Sequence, residues 1–148
     1  MSTIITCTRR IQFCAGHRVH GHESKCRNLH GHNYVVLFEA QAPRLDSLGR
    51  VIDFSVLKDR IGGWIEAKWD HGCIIWVDDI EATQAMQLMK DQKVYQLPLN
   101  PTAENMAAYL LERVCPAVLN GTGVTVVKVT LWETENCAAE ARLEAAHG

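Results

Sequence analysis

The sequence predicts an α+β domain, and three observations carry that prediction. Residues 4–17 and 30–40 place apolar side chains at every second position, the period of strands with one packed face. Residues 53–65 and 102–114 instead repeat them at helical spacing. The 148 residues contain no internal repeat, low-complexity tract or linker, so one domain spanning 1–148 is expected.

In the first strand Ile5, Cys7, Ile11, Phe13 and Ala15 lead in phase to His17, with Arg9 as the one interruption. A polar, histidine-rich loop from Arg18 to Lys25 follows. The second strand repeats the arrangement on its even positions, His30, His32, Tyr34, Val36, Phe38 and Ala40. Pro43 and residues 46–50 make a turn, with Gly49 in the left-handed position. Asp53 caps a helix whose apolar positions are Phe54, Leu57, Ile61, Trp64 and Ile65. Gly62 and Gly63 weaken it, each by about 1 kcal/mol relative to Ala.

Cys73 to Val77 reads as a short buried strand, the segment after Asp78-Asp79 as a helix through Lys90, and Lys93 to Leu97 as another short strand. Thr102 caps a helix after Pro101, Glu104 sits in its first turn where the dipole favours an acid, and Met106, Leu110 and Val114 line its buried side. Pro116 is expected to stop it. A Gly121-Thr122-Gly123 turn leads into a last strand in which Val127, Val129 and Leu131 share a face with Glu133.

Composition narrows the function. With 47% hydrophobic and 22% charged residues the chain is globular rather than disordered. Fifteen Lys and Arg against seventeen Asp and Glu, at a pI near 6.4, leave no electrostatic footprint for nucleic acid or an anionic membrane. Arg9-Arg10 arrives before any apolar signal core could form, so neither a secretory signal nor a membrane span is expected, and a cytoplasmic location is. The six cysteines are scattered rather than densely spaced, which points to free thiols.

His17, His30 and His32 all stand on faces that otherwise pack, and His30-Gly31-His32 puts two imidazoles on one side of a strand. A lone histidine there is ordinarily a satisfied core residue, but three together point to a metal. Zinc suits imidazole ligands, and three histidines would leave its fourth position open. Cys26 could close that position or work beside it, and spacing leaves the two readings open. His20 and His22 share the two-residue spacing but lie in a polar loop, and His147 lies in the C-terminal tail; neither set is expected to bind metal. Asp70-His71 can pair a carboxylate with an imidazole, or simply form a polar turn. Glu133, on a packed face, needs a donor partner, because burying an unpaired carboxylate costs several kcal/mol. Glu135 is in the same phase and competes for that role.

Set in order, these pieces resemble the 6-pyruvoyltetrahydropterin synthase family, most closely its branch that forms 6-carboxytetrahydropterin in queuosine and 7-deazaguanine biosynthesis. The resemblance runs through Phe13-x-Ala15-x-His17-Arg18, Cys26-x-x-x-His30-Gly31-His32-x-Tyr34, Gly49-x-Val51-x-Asp53-Phe54, Asp70-His71, Pro101-Thr102-x-Glu104-Asn105 and Glu133-Thr134. It implies that His17, His30 and His32 bind catalytic zinc, that Cys26 is the proton-abstracting base, and that Asp70 and His71 complete the acid–base set. It further implies that Glu133 grips the 2-amino and N3 edge of a pterin, with Thr102 and Glu104 bordering the pocket.

The implied fold is the tunnelling fold: an antiparallel four-stranded sheet with two main helices on one face, assembled into barrels as a hexamer of two trimers. The implied reaction converts 7,8-dihydroneopterin triphosphate to 6-carboxy-5,6,7,8-tetrahydropterin, releasing acetaldehyde and triphosphate. A sibling activity that stops at 6-pyruvoyltetrahydropterin fits the same motifs, and a non-catalytic zinc module would instead place Cys26 on the metal. Trp69, where the family commonly has Leu, and Cys14, at a variable position, are departures that bear on pocket shape. Arg9, Arg10, Arg18, Lys25 and Arg27 are candidates for the phosphates.

Overall fold

A computed structural model describes residues 3–145. Six strands form one sheet, β1 (Cys7–His17), β2 (His30–Gln41), β3 (Gly72–Trp76), β4 (Val94–Leu97), β5 (Thr125–Thr134) and β6 (Cys137–Arg142), in the order β4-β3-β1-β2-β5-β6. This corrects the expected four-stranded antiparallel sheet. β1, β2, β5 and β6 do run antiparallel, but β3 lies parallel to β1 and to β4. β1 also starts at Cys7 rather than Ile4, and Ile4 and Ile5 are exposed.

The two long strands pair in a register that decides the site. Gly16 lies opposite Gly31, His17 opposite His30, and Ala15 opposite His32. Because side chains alternate between faces, His17, His30 and His32 fall on one face, the third diagonal to the first. Gly31 permits the approach: a Cβ there would meet the Ala15 carbonyl oxygen at 3.2 Å.

The inward face of these strands is packed by two long helices, residues 54–68 and 103–118, which share one buried cluster with Phe13, Tyr34, Val36, Phe38, Val129 and Leu131. Each such fully buried large side chain stabilises the fold by roughly 1.5–3 kcal/mol. Asp53 caps the first helix through Ser55 N–H, and Thr102 the second through Asn105 N–H. Both helices contain a wide π turn, at Lys58–Gly62 and Leu110–Val114. Gly62 falls inside the first, close to Ile11 of β1, while Phe54, expected on the packed side, is 54% exposed.

Pro116 does not stop the second helix. It sits at the start of the closing segment Cys115–Val118, where the wide turn before it relaxes the hydrogen-bond ladder that its ring would break. A third, short helix, Ile80–Gln87, ends before the expected Lys90 and packs Ala82 and Met86 against Cys73 and Ile75 in a separate cluster. β5 carries an extra residue at Val127, where pairing passes from Glu39 with Lys128 to Ala40 with Val126. Val126 is therefore buried in place of Val127, while Val129 and Leu131 keep the inward phase as expected.

Candidate metal and catalytic site

His17, His30 and His32 converge as the sequence predicts. Their ring centroids are 4.7, 4.8 and 5.0 Å apart, a near-equilateral triangle. Two of the rings are fixed from behind. His17 Nδ1 donates to the Pro101 carbonyl at 2.8 Å, and His30 Nδ1 to the Asn28 carbonyl at 2.6 Å. A proton held on Nδ1 leaves the Nε2 lone pair free, the arrangement by which backbone carbonyls orient metal-binding imidazoles.

The fourth group in the cluster is Glu133 rather than Cys26. One ligand atom from each of His17, His30, His32 and Glu133 lies within 4.8 Å of all the others. Glu133 stands at a second irregularity of β5, between Trp132 and Thr134, and such bulges re-aim side chains. Its Oε1 is 2.8 Å from His32 Nε2 and 3.8 Å from His17 Nε2. Neither approach has hydrogen-bond geometry, so both nitrogens are buried without a partner. Burial, opposed by the Pro101 hydrogen bond and reinforced by the neighbouring imidazoles, pulls His17 down to about 4. Burial also lowers His32, against the opposing pull of Glu133. Neutral, unpartnered imidazole nitrogens facing a carboxylate fit a divalent cation of the zinc class.

The remaining predicted residues take separate positions. Cys26 lies half-buried in a single 3₁₀ turn, Lys25–Arg27, directly before β2, and its carbonyl accepts the Val19 N–H at 2.9 Å. Asp70 and His71 form a pair, His71 Nδ1 lying 2.9 Å from Asp70 Oδ2. Asp70 Oδ1 accepts the Cys14 N–H at 3.0 Å, and the His71 N–H donates to the Cys14 carbonyl at 2.7 Å. Burial alone would raise the Asp70 carboxyl, but the Cys14 N–H and the His71 ring together hold it below its ordinary value. Cys14 is in the opposite phase from His17, so this pair belongs to the outward face of β1. Thr102 is a cap whose neighbour Pro101 holds His17, while Glu104 is exposed. Glu135 is exposed and outside the cluster.

His20 and His22 stay out of the cluster, and His147 lies outside the described residues. His20 packs near Trp76, and His22 Nδ1 accepts the Ser24 N–H. Arg18 is committed elsewhere than to phosphate: its guanidinium makes two 2.6 Å bonds to the buried Asp79 carboxylate, which also caps the short helix through Ala82 N–H. Asn100, missed in the sequence, exchanges two hydrogen bonds with the backbone of His20 and so ties the Cys26 loop to the Pro101 segment. Asn preceding Pro-Thr was the available signal, but the sequence could not name its partner.

Comparison with known proteins adds a relationship to this geometry. A family model described as 6-pyruvoyl tetrahydropterin synthase matches residues 6–144. A Rickettsia felis protein named 6-carboxy-5,6,7,8-tetrahydropterin synthase is 44% identical over 137 residues, covering 93% of this chain and 99% of its own. Among solved structures, an uncharacterized protein from Wolinella succinogenes aligns with a TM-score of 0.80 at 24% identity, covering 97% of this chain and 100% of its own. The 6-pyruvoyl tetrahydropterin synthase of Caenorhabditis elegans aligns at 0.68 and 25% identity, covering 96% and 97%.

Proposed function

The chain belongs to the 6-pyruvoyl tetrahydropterin synthase family, and on that footing we propose that it is a zinc-dependent lyase converting 7,8-dihydroneopterin triphosphate to 6-carboxy-5,6,7,8-tetrahydropterin, with release of acetaldehyde and triphosphate. The observation that carries the reading is the triangle of imidazoles in which the Nε2 atoms of His17 and His32 are buried without a hydrogen-bond partner. The carboxy product is favoured over 6-pyruvoyltetrahydropterin by the name of the 44% identical relative. The wider setting is queuosine and 7-deazaguanine biosynthesis in the cytoplasm. Among the described residues no helix is long and apolar enough to cross a membrane.

His17, His30 and His32 hold the metal, and bound zinc supplies Lewis acidity to the oxygens of the substrate side chain. Cys26 takes the proton from the neighbouring carbon. Asp70, kept as a carboxylate, holds the His71 Nδ1–H and leaves the far ring nitrogen to deliver or accept a proton. Asp70 and His71 of one chain serve Cys26 of another within a hexamer of two trimers, a reading taken from the family and supported by the pair's place on the other side of β1 from the imidazoles. Glu133 faces the ring nitrogens of His17 and His32; the 2-amino and N3 edge of a pterin would give its carboxylate two donors, and Thr102 and Glu104 border the pterin pocket.

The test is incubation of the purified, metal-assayed protein with 7,8-dihydroneopterin triphosphate, followed by product identification. Acetaldehyde with the carboxypterin supports the reading; triphosphate release with a pyruvoyl product replaces it with the sibling activity. Glu133→Gln should raise KM while zinc content stays unchanged. Loss of zinc in that variant would make Glu133 a metal ligand instead.

A further inference from the structure

Cys14 has no part in the proposed reaction, yet its surroundings are unusual for a spare thiol. Its Sγ, an Asp70 carboxylate oxygen and a His71 ring nitrogen all lie within 4.8 Å of one another. The three residues are held by main-chain bonds as well: Cys14 N–H to Asp70 Oδ1, and His71 N–H to the Cys14 carbonyl. The His71 backbone is left-handed, at φ 61°, and Lys93 Nζ bonds the Asp70 carbonyl at 2.6 Å, which pins the turn that presents the pair. A hollow of about 250 Å³ opens beside Cys14 and His71, over Gly16 and Gly31, which have no side chains to fill it; His32 of the triangle also lines it. Three convergent donors beside open space leave room for a water as fourth ligand.

We propose that Cys14, Asp70 and His71 form a second metal site, sharing no ligand with the imidazole triangle, that takes a zinc-class divalent ion and silences the Asp70–His71 pair when filled. A thiolate, a carboxylate and a neutral imidazole give a charge-neutral complex with a divalent ion, and this mixed sulfur, oxygen and nitrogen set suits Zn²⁺ or Co²⁺ over Mg²⁺ or Ca²⁺. Binding releases the thiol proton, moves the His71 ring proton from Nδ1 to Nε2 so that the imidazole stays neutral, and replaces the Asp70–His71 hydrogen bond with two metal bonds. The silencing rests on the catalytic role given to that pair above; the binding does not.

Cobalt(II) titration of the full-length metal-free protein separates the two. The triangle with Glu133 contains no thiolate, so thiolate-to-cobalt charge-transfer absorption reports the second site. It should appear with the second equivalent, persist in Cys26→Ala and vanish in Cys14→Ser, which keeps the first equivalent. Binding that stops at one equivalent, or absorption that survives Cys14→Ser, overturns the site. In the zinc-loaded enzyme, a second equivalent of Zn²⁺ should lower turnover by about 100-fold, the scale of lost general acid–base catalysis, and should leave Cys14→Ser unaffected. A second equivalent bound without loss of turnover keeps the site, overturns the silencing and removes the pair from the reaction.

Discussion

The imidazole triangle and the Asp70–His71 pair set histidines on the two faces of β1 under opposite conditions. His17 is fully buried, anchored through Nδ1 and brought down to about 4, so its lone pair is permanently available. His71 is 78% exposed in its side chain, sits on a left-handed turn, and has a single carboxylate to orient it. A metal ligand must be neutral and still, whereas a proton carrier needs access and a partner that favours its charged form. Paired central strands place the buried His17, and a turn places the exposed His71, as those two proposed roles would require.

Substitutions test that division most directly. His30→Ala and Cys26→Ala should both reduce turnover to background, a loss of about 10⁴-fold or more, but only His30→Ala should release zinc by metal analysis. Zinc loss in Cys26→Ala would merge the two functions. Asp70→Asn should come next, with kcat lower by about 10²-fold and metal content unchanged; an equal loss of zinc would show that the outward face supports the inward one.

A third effect concerns stability in the metal-free protein. His17 ionises near 4 when folded and near its ordinary value when unfolded. Its contribution is intact above about pH 6.5 and is lost as pH falls toward 4, in total about 3 kcal/mol. Urea unfolding at successive pH values should show this slope in wild type and a shallower one in His17→Gln, where the lowered His32 still contributes. Smallest, Thr102→Ala should cost about 1 kcal/mol of stability through the lost helix cap and, by loosening Pro101, should weaken zinc binding modestly. Unchanged zinc affinity there would mean that the Pro101 carbonyl holds His17 independently of the cap.

The inward face was readable because β1 and β2 each have one packed side, so a period of two marks Phe13, Ala15 and His17 against Tyr34, Val36 and Phe38. What escaped lacks that contrast. β6, Cys137–Arg142, has only alanines in its half-buried phase, and Ala139 and Ala141 contribute too little area to stand out. β3 is buried along most of its length, so nothing in Gly72–Trp76 distinguishes a parallel neighbour from an antiparallel one. The extra residue at Val127 shifts the phase in mid-strand, which periodicity alone renders as one uninterrupted face. In the site, side chains announced themselves and backbone partners did not: the three histidines were legible, the carbonyls of Pro101 and Asn28 were not.

The bond from His17 to Pro101 spans 84 residues of sequence. The triangle itself needs only β1 and β2, neighbours in the chain that can pair early, but the contact that orients its deepest member must wait for the second long helix to dock. Long-range closure of this kind is slow relative to hairpin formation. On the proposed function, metal competence would be a late event in folding, and the rate at which refolding protein acquires zinc would time the arrival of the C-terminal half rather than the formation of the strands that carry the three histidines.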